Sequence, residues 1–166
     1  MKTGQNNFII FIALLLSGTM GFSQNLKGKA KKYIRLADIE MFNNNIAMAL
    51  DLYQKAYASD TNSSRAAFKL GVCMYTIRKY KKQSLPYFEK ARKDGIIQAD
   101  YYLGNLYHLV GKFDESIRVF LKYKNISEKK DFSNAEVDFL IAKCKTAIEF
   151  VQNPSDVTIE NIGHII

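Results

Sequence analysis

The feature of this chain that most constrains its fold is a two-residue phrase that recurs about every 34 residues. A leucine followed by a small residue stands at Leu36-Ala37, at Leu70-Gly71 and at Leu103-Gly104, and a weaker version follows at Ile141-Ala142. The steps between the small residues are 34, 33 and 38 positions. A period of this length indicates a structural repeat, in which each unit buries its apolar face against its neighbours.

A second helical pattern follows each of the first three phrases. A small residue is followed by an aromatic residue four positions later, and in two of the three cases by an alanine three positions after that. Residues at this spacing lie on one face of an α-helix. The faces are Ala49, Tyr53 and Ala56, then Ser84, Phe88 and Ala91, then Ser116, Phe120 and Tyr123. Each repeat is therefore predicted to be a pair of helices, A and B, and one further helix follows the third pair.

The helix boundaries are predicted from turn and cap residues. Asn43–Asn45 and Gly111 suit the A–B turns, because Asn and Gly tolerate the left-handed backbone conformation. The segment Asp60–Ser63 supplies N-cap candidates for the next helix, and Ser133 begins a capping box with Glu136. The predicted helices are Ala30–Phe42, Ala47–Ser59, Ser64–Arg78, one from Ser84 to Asp94-Gly95, two within Tyr101–Tyr123, and Asn134–Gln152. The last helix has an only partly apolar face, as expected of a helix that caps the array on one side and faces water on the other; the face is Phe139, Ile141 or Ala142, Lys145 and Ile148.

The second repeat contains one extra residue. Gly71 to Ala91 is 20 positions, whereas the same step is 19 positions in the first and third repeats. Proline is tolerated in the first turn of a helix, where its missing N–H would have no partner. We therefore expect Ser84 as N-cap and Pro86 just inside the helix to absorb the added residue.

The first 23 residues are predicted to be a separate segment. Lys2 is followed by an apolar run at Phe8–Leu16 and then by the small residues Gly21 and Ser23. This order is that of a secretory signal, and the run is far shorter than the ~20 residues that span a bilayer. The sequence predicts a signal peptide at 1–23 and no transmembrane segment after its cleavage. The alternative is an uncleaved start that anchors the chain in a membrane.

The charge of the chain limits its partners. It has 24 Lys+Arg against 16 Asp+Glu, a net charge of +8, with basic clusters at Lys27–Lys32 and Arg78–Lys82. A nucleic-acid interface would need these charges on one face beside stacking aromatic residues, and an exported protein seldom meets nucleic acid. We interpret the clusters as a solvated surface that faces anionic envelope polymers or an acidic partner, and we expect no nucleic-acid partner.

The two cysteines are predicted to be buried rather than bonded to each other. Cys73 and Cys144 each lie two positions after the small residue of a phrase, with a whole repeat between them. Each helix layer adds about 8–10 Å, whereas a disulfide needs Cα atoms within about 7 Å. We therefore interpret both as small buried hydrophobic residues.

The sequence contains no constellation that predicts catalysis. His108 and His164 are the only histidines, and His108 is expected to be exposed without an acidic or cysteine partner at ligand spacing. A phosphate loop and a G-x-S-x-G motif are also missing from the sequence. The sequence therefore predicts a protein that is not an enzyme and that needs no cofactor and no metal.

The spacing of these residues resembles the tetratricopeptide repeat (TPR) over residues 30–152. The third repeat matches best, with Leu103-Gly104, Tyr107, Gly111, Phe113, Ser116 and Phe120. The resemblance implies an all-α fold, a right-handed superhelical solenoid of three helix-turn-helix repeats and a C-terminal capping helix, in a TPR domain at 24–152. Glu40 stands where an aromatic residue is expected, which leaves the local helix packing open.

A narrower resemblance rests on the order of the segments. The signal, the three repeats, Ala142-Lys143-Cys144, Ala147-Ile148-Glu149, Asn153-Pro154 and Ile159–Gly163 are similar to the amino-terminal part of exported Bacteroidetes PorE-like proteins. In those proteins a β-propeller and an OmpA-like peptidoglycan-binding domain follow the repeats. The resemblance implies a periplasmic scaffold associated with the outer membrane. The tail at 153–166 is either a disordered end or the start of a missing β-propeller domain.

The predicted partner-binding groove is the face of the A helices that lies opposite the B helices. Positions three or four apart on one helix share a face, and Tyr and Phe mixed with polar groups suit capture of a peptide or helix. The groove residues are Ile34, Asp38, Met41, Phe68, Val72, Tyr75, Tyr101, Asn105 and His108. The alternative is that these residues coat the groove or pack on a following domain.

The function predicted from these features is that of a non-enzymatic scaffold of the cell envelope, which binds a protein or peptide partner through the groove. The alternative is an N-terminal fragment of an OmpA-like, peptidoglycan-associated outer-membrane protein, in which the repeats mainly support missing domains. The sequence leaves the identity of the partner and the oligomeric state open.

Overall fold

The computed structural model describes residues 27–126 and 131–154, and in these ranges the chain is helical, with no strand. Helix α1 covers residues 27–42, and the others are α2 (Ile46–Ser59), α3 (Ser64–Thr76), α4 (Leu85–Lys93), α5 (Ala99–Leu109), α6 (Phe113–Lys124) and α7 (Asn134–Gln152). Two short 3-10 helices, Arg78–Tyr80 and Lys82–Ser84, lie between α3 and α4. The predicted order of three A–B pairs and a final helix is confirmed.

The described residues divide into two compact units, one that ends at Ala99 and one that begins at Asp100. In the first unit α2 packs on α3 and α3 packs on α4, and in the second unit α6 packs on α7. The predicted signal peptide at 1–23 and residues 155–166 of the predicted tail lie outside the described residues. Among the helices of the described ranges, none is both long enough and apolar enough to cross a membrane.

In the second and third pairs the recurring small residue lies where an aromatic ring of helix B meets the backbone of helix A, whereas Ala142 of the weaker fourth repeat is exposed. In the first pair Ala37, Ala49 and Tyr53 are buried in one cluster. In the second pair a Cβ added to Gly71 would lie 3.1 Å from the ring of Phe88. In the third pair, an added Cβ at Gly104 would lie 2.5 Å from the ring of Phe120, closer than van der Waals contact allows. The small residue of the repeat therefore lets the two helices pack closely, and the contact is tightest in the third pair.

The predicted turns of the first and third pairs and the predicted N-caps before α3 and α7 are present. Asn44 in the first A–B turn has a φ of 59°, and Gly111 in the third has a φ of 79°, both in the left-handed region. The Ser63 hydroxyl accepts a hydrogen bond from the N–H of Ala66 at 3.2 Å. The Ser133 hydroxyl accepts from the N–H of Glu136 at the same distance. Ser63 and Ser133 thus begin α3 and α7, as their positions predict.

The prediction that an N-cap at Ser84 and Pro86 just inside the helix absorb the extra residue of the second repeat is wrong in part. Ser84 makes no side-chain cap, and its hydroxyl instead donates to the carbonyl of Lys81 at 2.6 Å. From Gly71 to Ser84 is 13 positions, whereas the same step is 12 in the other two pairs. The extra residue therefore lies before Ser84, in an A–B turn that winds as two 3-10 helices. Pro86 does lie in the first turn of α4, as predicted.

The final helix exposes more apolar surface than a simple cap would. Its buried residues are Val137, Ile141 and Cys144. Phe139, predicted to lie on the packed face, is 64% exposed, so that part of the prediction is wrong. The helix also exposes Phe150 and Val151 near its C-terminal end, so its outer face is not purely polar.

Candidate partner-binding surface

The predicted groove residues of the first unit divide into core and surface positions. Ile34 is only 4% exposed and belongs to the core cluster, and Met41 is half-buried against the same cluster. The remaining four, Asp38, Phe68, Val72 and Tyr75, are all half-buried. The surface that this part of the groove offers to a partner therefore comes from α3 more than from α1.

Asp38 joins three helices through its carboxylate. The Tyr53 hydroxyl of α2 donates to Asp38 Oδ1 at 2.5 Å, and the Lys69 ammonium of α3 lies 2.9 Å from the same oxygen. Burial raises the pKa of Asp38, but the hydrogen bonds from Lys69 and Tyr53 and the nearby positive charges outweigh it, so the pKa is lowered. Asp38 is thus an ionised anchor whose charge Lys69 compensates.

The aromatic residues of the groove in α3 pack edge-on against one ring of helix B. The ring centroids of Phe68 and Phe88 are 6.0 Å apart, and those of Tyr75 and Phe88 are 6.3 Å apart. The Lys81 ammonium lies 4.5 Å from the centroid of the Tyr75 ring, in cation–π range. Phe68 and Tyr75 therefore keep fixed positions while part of each side chain remains at the surface.

Tyr101, the first predicted groove residue of the second unit, is a core residue. It is 9% exposed, and its ring stacks on Phe132 with the centroids 3.5 Å apart. Its hydroxyl donates to Glu136 Oε1 at 2.6 Å. Asn105 donates from its side chain to the carbonyl of Tyr101 at 3.0 Å and is half-buried. Asn105 therefore presents more side chain to a partner than Tyr101 does.

His108 is half-buried rather than exposed, and it contacts a cysteine that lies 36 positions away in the sequence, far from ligand spacing. Its Nδ1 lies 3.3 Å from the sulfur of Cys144, which in turn lies 3.2 Å from the hydroxyl oxygen of Ser116. The Ser116 hydroxyl donates to the carbonyl of Gly104 at 2.6 Å. His108 also contacts Phe113 edge-on, with the ring centroids 5.3 Å apart. The four side chains form one cluster between α5, α6 and α7.

The chemistry of this cluster is that of a packed core rather than of a nucleophile. Burial raises the pKa of Cys144 above its usual value despite the hydrogen bond to Ser116 and the charge of Lys143. Burial and the charge of Lys143 lower the pKa of His108. At neutral pH the pair is therefore a thiol beside a neutral imidazole, and a thiol is a weak nucleophile. Cys144 is also 0% exposed, so a substrate has no access to its sulfur.

The cluster makes stability depend on pH near neutrality. The pKa of His108 is lower in the folded chain than in the unfolded chain, where it is about 6.5. The unfolded state therefore binds more protons between these two values, and the folded state loses stability as the pH falls below about 6.5. We expect thermal unfolding to shift down more between pH 7.5 and pH 5.5 in the parent chain than in His108→Asn.

The control for this prediction is His164→Asn, which removes a histidine from residues outside the described ranges. The circular dichroism melting temperature of each chain at the two pH values is the measurement. An equal drop in the parent and in His108→Asn would contradict the role of His108.

The described residues provide no metal centre. No group of three or more His, Cys, Asp and Glu side chains in these ranges lies close enough together to hold a metal ion. A cavity of about 40 Å³ beside His108, lined also by Asn105 and Lys143, has room for about one water molecule.

Comparison with known proteins identifies the fold. No protein-family model matches the chain, and no curated protein matches it. Among solved structures, the chain is similar to YrrB, a TPR protein with an unusual peptide-binding site, with a TM-score of 0.60 and 21% identity over 80% of this chain and 75% of that one. It is also similar to the MamA protein, with a TM-score of 0.54 and 18% identity over 78% and 79% of the two chains. The chain has the fold of these proteins, so the TPR fold is confirmed.

Proposed function

We propose that this chain is a non-enzymatic TPR scaffold, exported to the cell envelope, which binds protein partners through the A helices. The observation that carries the proposal is the surface of α3, where Phe68, Val72 and Tyr75 are half-buried at helical spacing. Rigid aromatic residues at a partly open surface bind a partner at low cost in side-chain entropy. YrrB, which is similar in fold, has a peptide-binding site, and this supports a peptide or protein partner.

The envelope part of the proposal rests on the sequence. The order of Lys2, the apolar run Phe8–Leu16 and the small residues before Gln24 supports export. We expect the chain to appear in the periplasmic or outer-membrane fraction of its host, shortened by about 23 residues, a length that the sequence predicts. Cell fractionation and the N-terminal sequence of the purified protein measure this. An unprocessed chain in the cytoplasm would refute the envelope location and would leave the binding function to be tested separately.

A second candidate function is support of a further domain, as in the proteins with a propeller after the repeats. The observation that favours it is the apolar surface of α7, where Phe139 is 64% exposed, Phe150 68% and Val151 70%. Isolated exposed apolar residues are common on protein surfaces, but several on one helix indicate an interaction site.

Photo-cross-linking from single positions separates the two functions. A photoreactive phenylalanine analogue placed at Val72 or at Asn105 reports on the A-helix surface of each unit, and one at Phe139 reports on α7. Gln54, exposed on α2, is the control position. We expect one discrete cross-linked product in host cells from Val72 or Asn105 and none from Gln54. A product from Phe139 alone would favour the supporting role instead.

A further inference from the structure

The positive charge of the chain is concentrated in its first unit. Residues 27–99 contain 15 Lys+Arg and 6 Asp+Glu, an excess of nine positive charges. The described residues from Asp100 onward contain 6 Lys+Arg and 7 Asp+Glu, an excess of one negative charge. A partner that is attracted by charge would therefore be drawn to the first unit.

Part of this charge surrounds a cleft of about 440 Å³ between α1 and the start of α3. Lys27, Lys31 and Arg35 line it from α1, and Arg65 lines it from the first turn of α3. The apolar side chains in its lining are those of Ala30 and Ile34, which are 3% and 4% exposed and belong to the buried core. The base of the cleft is thus formed by side chains of the packed core, and four long cationic side chains surround it.

The four cations have no ion-pair partner among the residues that the structure describes, although the charge of Arg65 also acts on Asp38. Lys27, Lys31, Arg35 and Arg65 form no ion pair with a described carboxylate, and all four are exposed. Asp60 is the one acidic residue in the lining, and its Oδ1 accepts the N–H of Asn62 at 3.2 Å. The first turn of α3 carries no acidic side chain, so the positive end of its helix dipole adds to the field.

The shape and lining of the cleft favour one class of anion. Single-stranded nucleic acid binds to grooves that offer stacking aromatic residues, and the lining of this cleft has none. A membrane surface contacts flat basic faces with adjacent apolar residues, whereas the apolar residues here lie at the floor of a concave site. Carboxylates on a short extended segment match the charge of the four cations in the lining and need no stacking partner.

We propose that this cleft, defined by Lys27, Lys31, Arg35 and Arg65, binds an acidic segment of a partner protein through its Asp and Glu carboxylates. The proposal rests on the scaffold function and names the chemistry of the partner. Ile34, a predicted groove residue, lies in the cleft floor. The acidic segment would therefore enter the A-helix surface at α1 and bring the rest of the partner to the half-buried residues of α3.

The test is a titration of the full chain with a fluorescein-labelled ten-residue peptide of alternating Asp and Glu, followed by fluorescence anisotropy. The cleft variant is Lys31→Glu with Arg35→Glu. The matched control is Arg78→Glu with Lys82→Glu, which changes the same residue types at the same spacing in the other basic cluster of the first unit. All four positions are exposed, so both variants should keep the far-ultraviolet circular dichroism of the parent.

We expect the cleft variant to bind the peptide at least about ten-fold more weakly, because two attractive contacts become repulsive. The control should remain within about two-fold, and an Asn/Gln peptide of the same length should not bind. An equal loss in both variants would show attraction to net charge and overturn the proposal. So would tighter binding to phosphatidylglycerol vesicles or to single-stranded DNA than to the peptide. If only the cleft variant loses peptide binding, the cleft proposal holds even when cross-linking from Val72 gives no product. The cleft proposal and the proposed scaffold function can therefore be refuted separately.

Discussion

Replacing Phe120 with alanine is expected to lower the free energy of unfolding by about 3–5 kcal/mol, the usual cost of removing a buried aromatic ring. Phe120 is 0% exposed, and its ring lies against Gly104 of α5. It also contacts Tyr101, with the ring centroids 6.3 Å apart. Because the ring fills the space between helices α5 and α6, its removal leaves a cavity that the backbone cannot close without moving both helices.

The control is Phe139→Ala, which removes the same ring from a position that is 64% exposed. We expect that change to cost less than about 0.5 kcal/mol. Urea denaturation followed by circular dichroism at 222 nm measures both variants. Similar midpoints for the two would contradict the assignment of Phe120 to the core and the pairing of α5 with α6.

The fold was predictable because its main contacts are encoded in short spacings. A small residue on helix A, then a small residue 12 or 13 positions later and an aromatic residue four beyond it, is enough to predict two antiparallel helices that pack through that ring. The same reasoning identified Asn44 and Gly111 as turn residues, and both have positive φ. The prediction from local sequence was wrong at Ser84. The added residue is accommodated by two 3-10 helices in the A–B turn and not by a cap at the start of α4.

The surface was less predictable, because it depends on the rotation of each helix about its axis. Ile34 and Tyr101 were placed in the groove by spacing, yet they are 4% and 9% exposed. A rotation by one residue, about 100°, moves a side chain from the groove to the core. Only contacts between helices fix that angle, such as the hydrogen bond from Tyr101 to Glu136, 35 residues later.

Side-chain partners far apart in sequence were also beyond the reach of local patterns. The contact between His108 and Cys144 joins residues 36 positions apart, and the one between Asp38 and Tyr53 joins residues 15 apart. One signal was available, since Cys144 follows the small residue of its phrase by two positions as Cys73 does. That position is buried in both units, so the spacing indicates that Cys144 packs against other helices, but it does not identify His108 as the contact.

Replacing Gly104 with alanine is expected to destabilise the chain by about 2 kcal/mol, whereas Gly71→Ala should change stability by less than about 0.5 kcal/mol. In both helices alanine recovers about 1 kcal/mol of helix propensity. At Gly71 the new Cβ would lie 3.1–3.3 Å from three ring carbons of Phe88, which is tight but requires only a small shift. At Gly104 it would lie 2.5–2.7 Å from three ring carbons of Phe120, so the ring must move.

A double-mutant cycle tests whether the ring is the cause. Phe120→Leu removes the two nearest carbons that an alanine at position 104 would meet, Cε1 and Cζ, so the cost of Gly104→Ala should fall by at least about 1 kcal/mol in that background. Phe88→Leu paired with Gly71→Ala is the matched cycle, and its coupling should be close to zero. Additive costs in the third pair would show that Gly104 is needed for the backbone of α5 itself. Coupling in the third pair alone would instead show that its glycine makes room for the ring, because only there would the added Cβ lie less than 3.0 Å from the ring carbons.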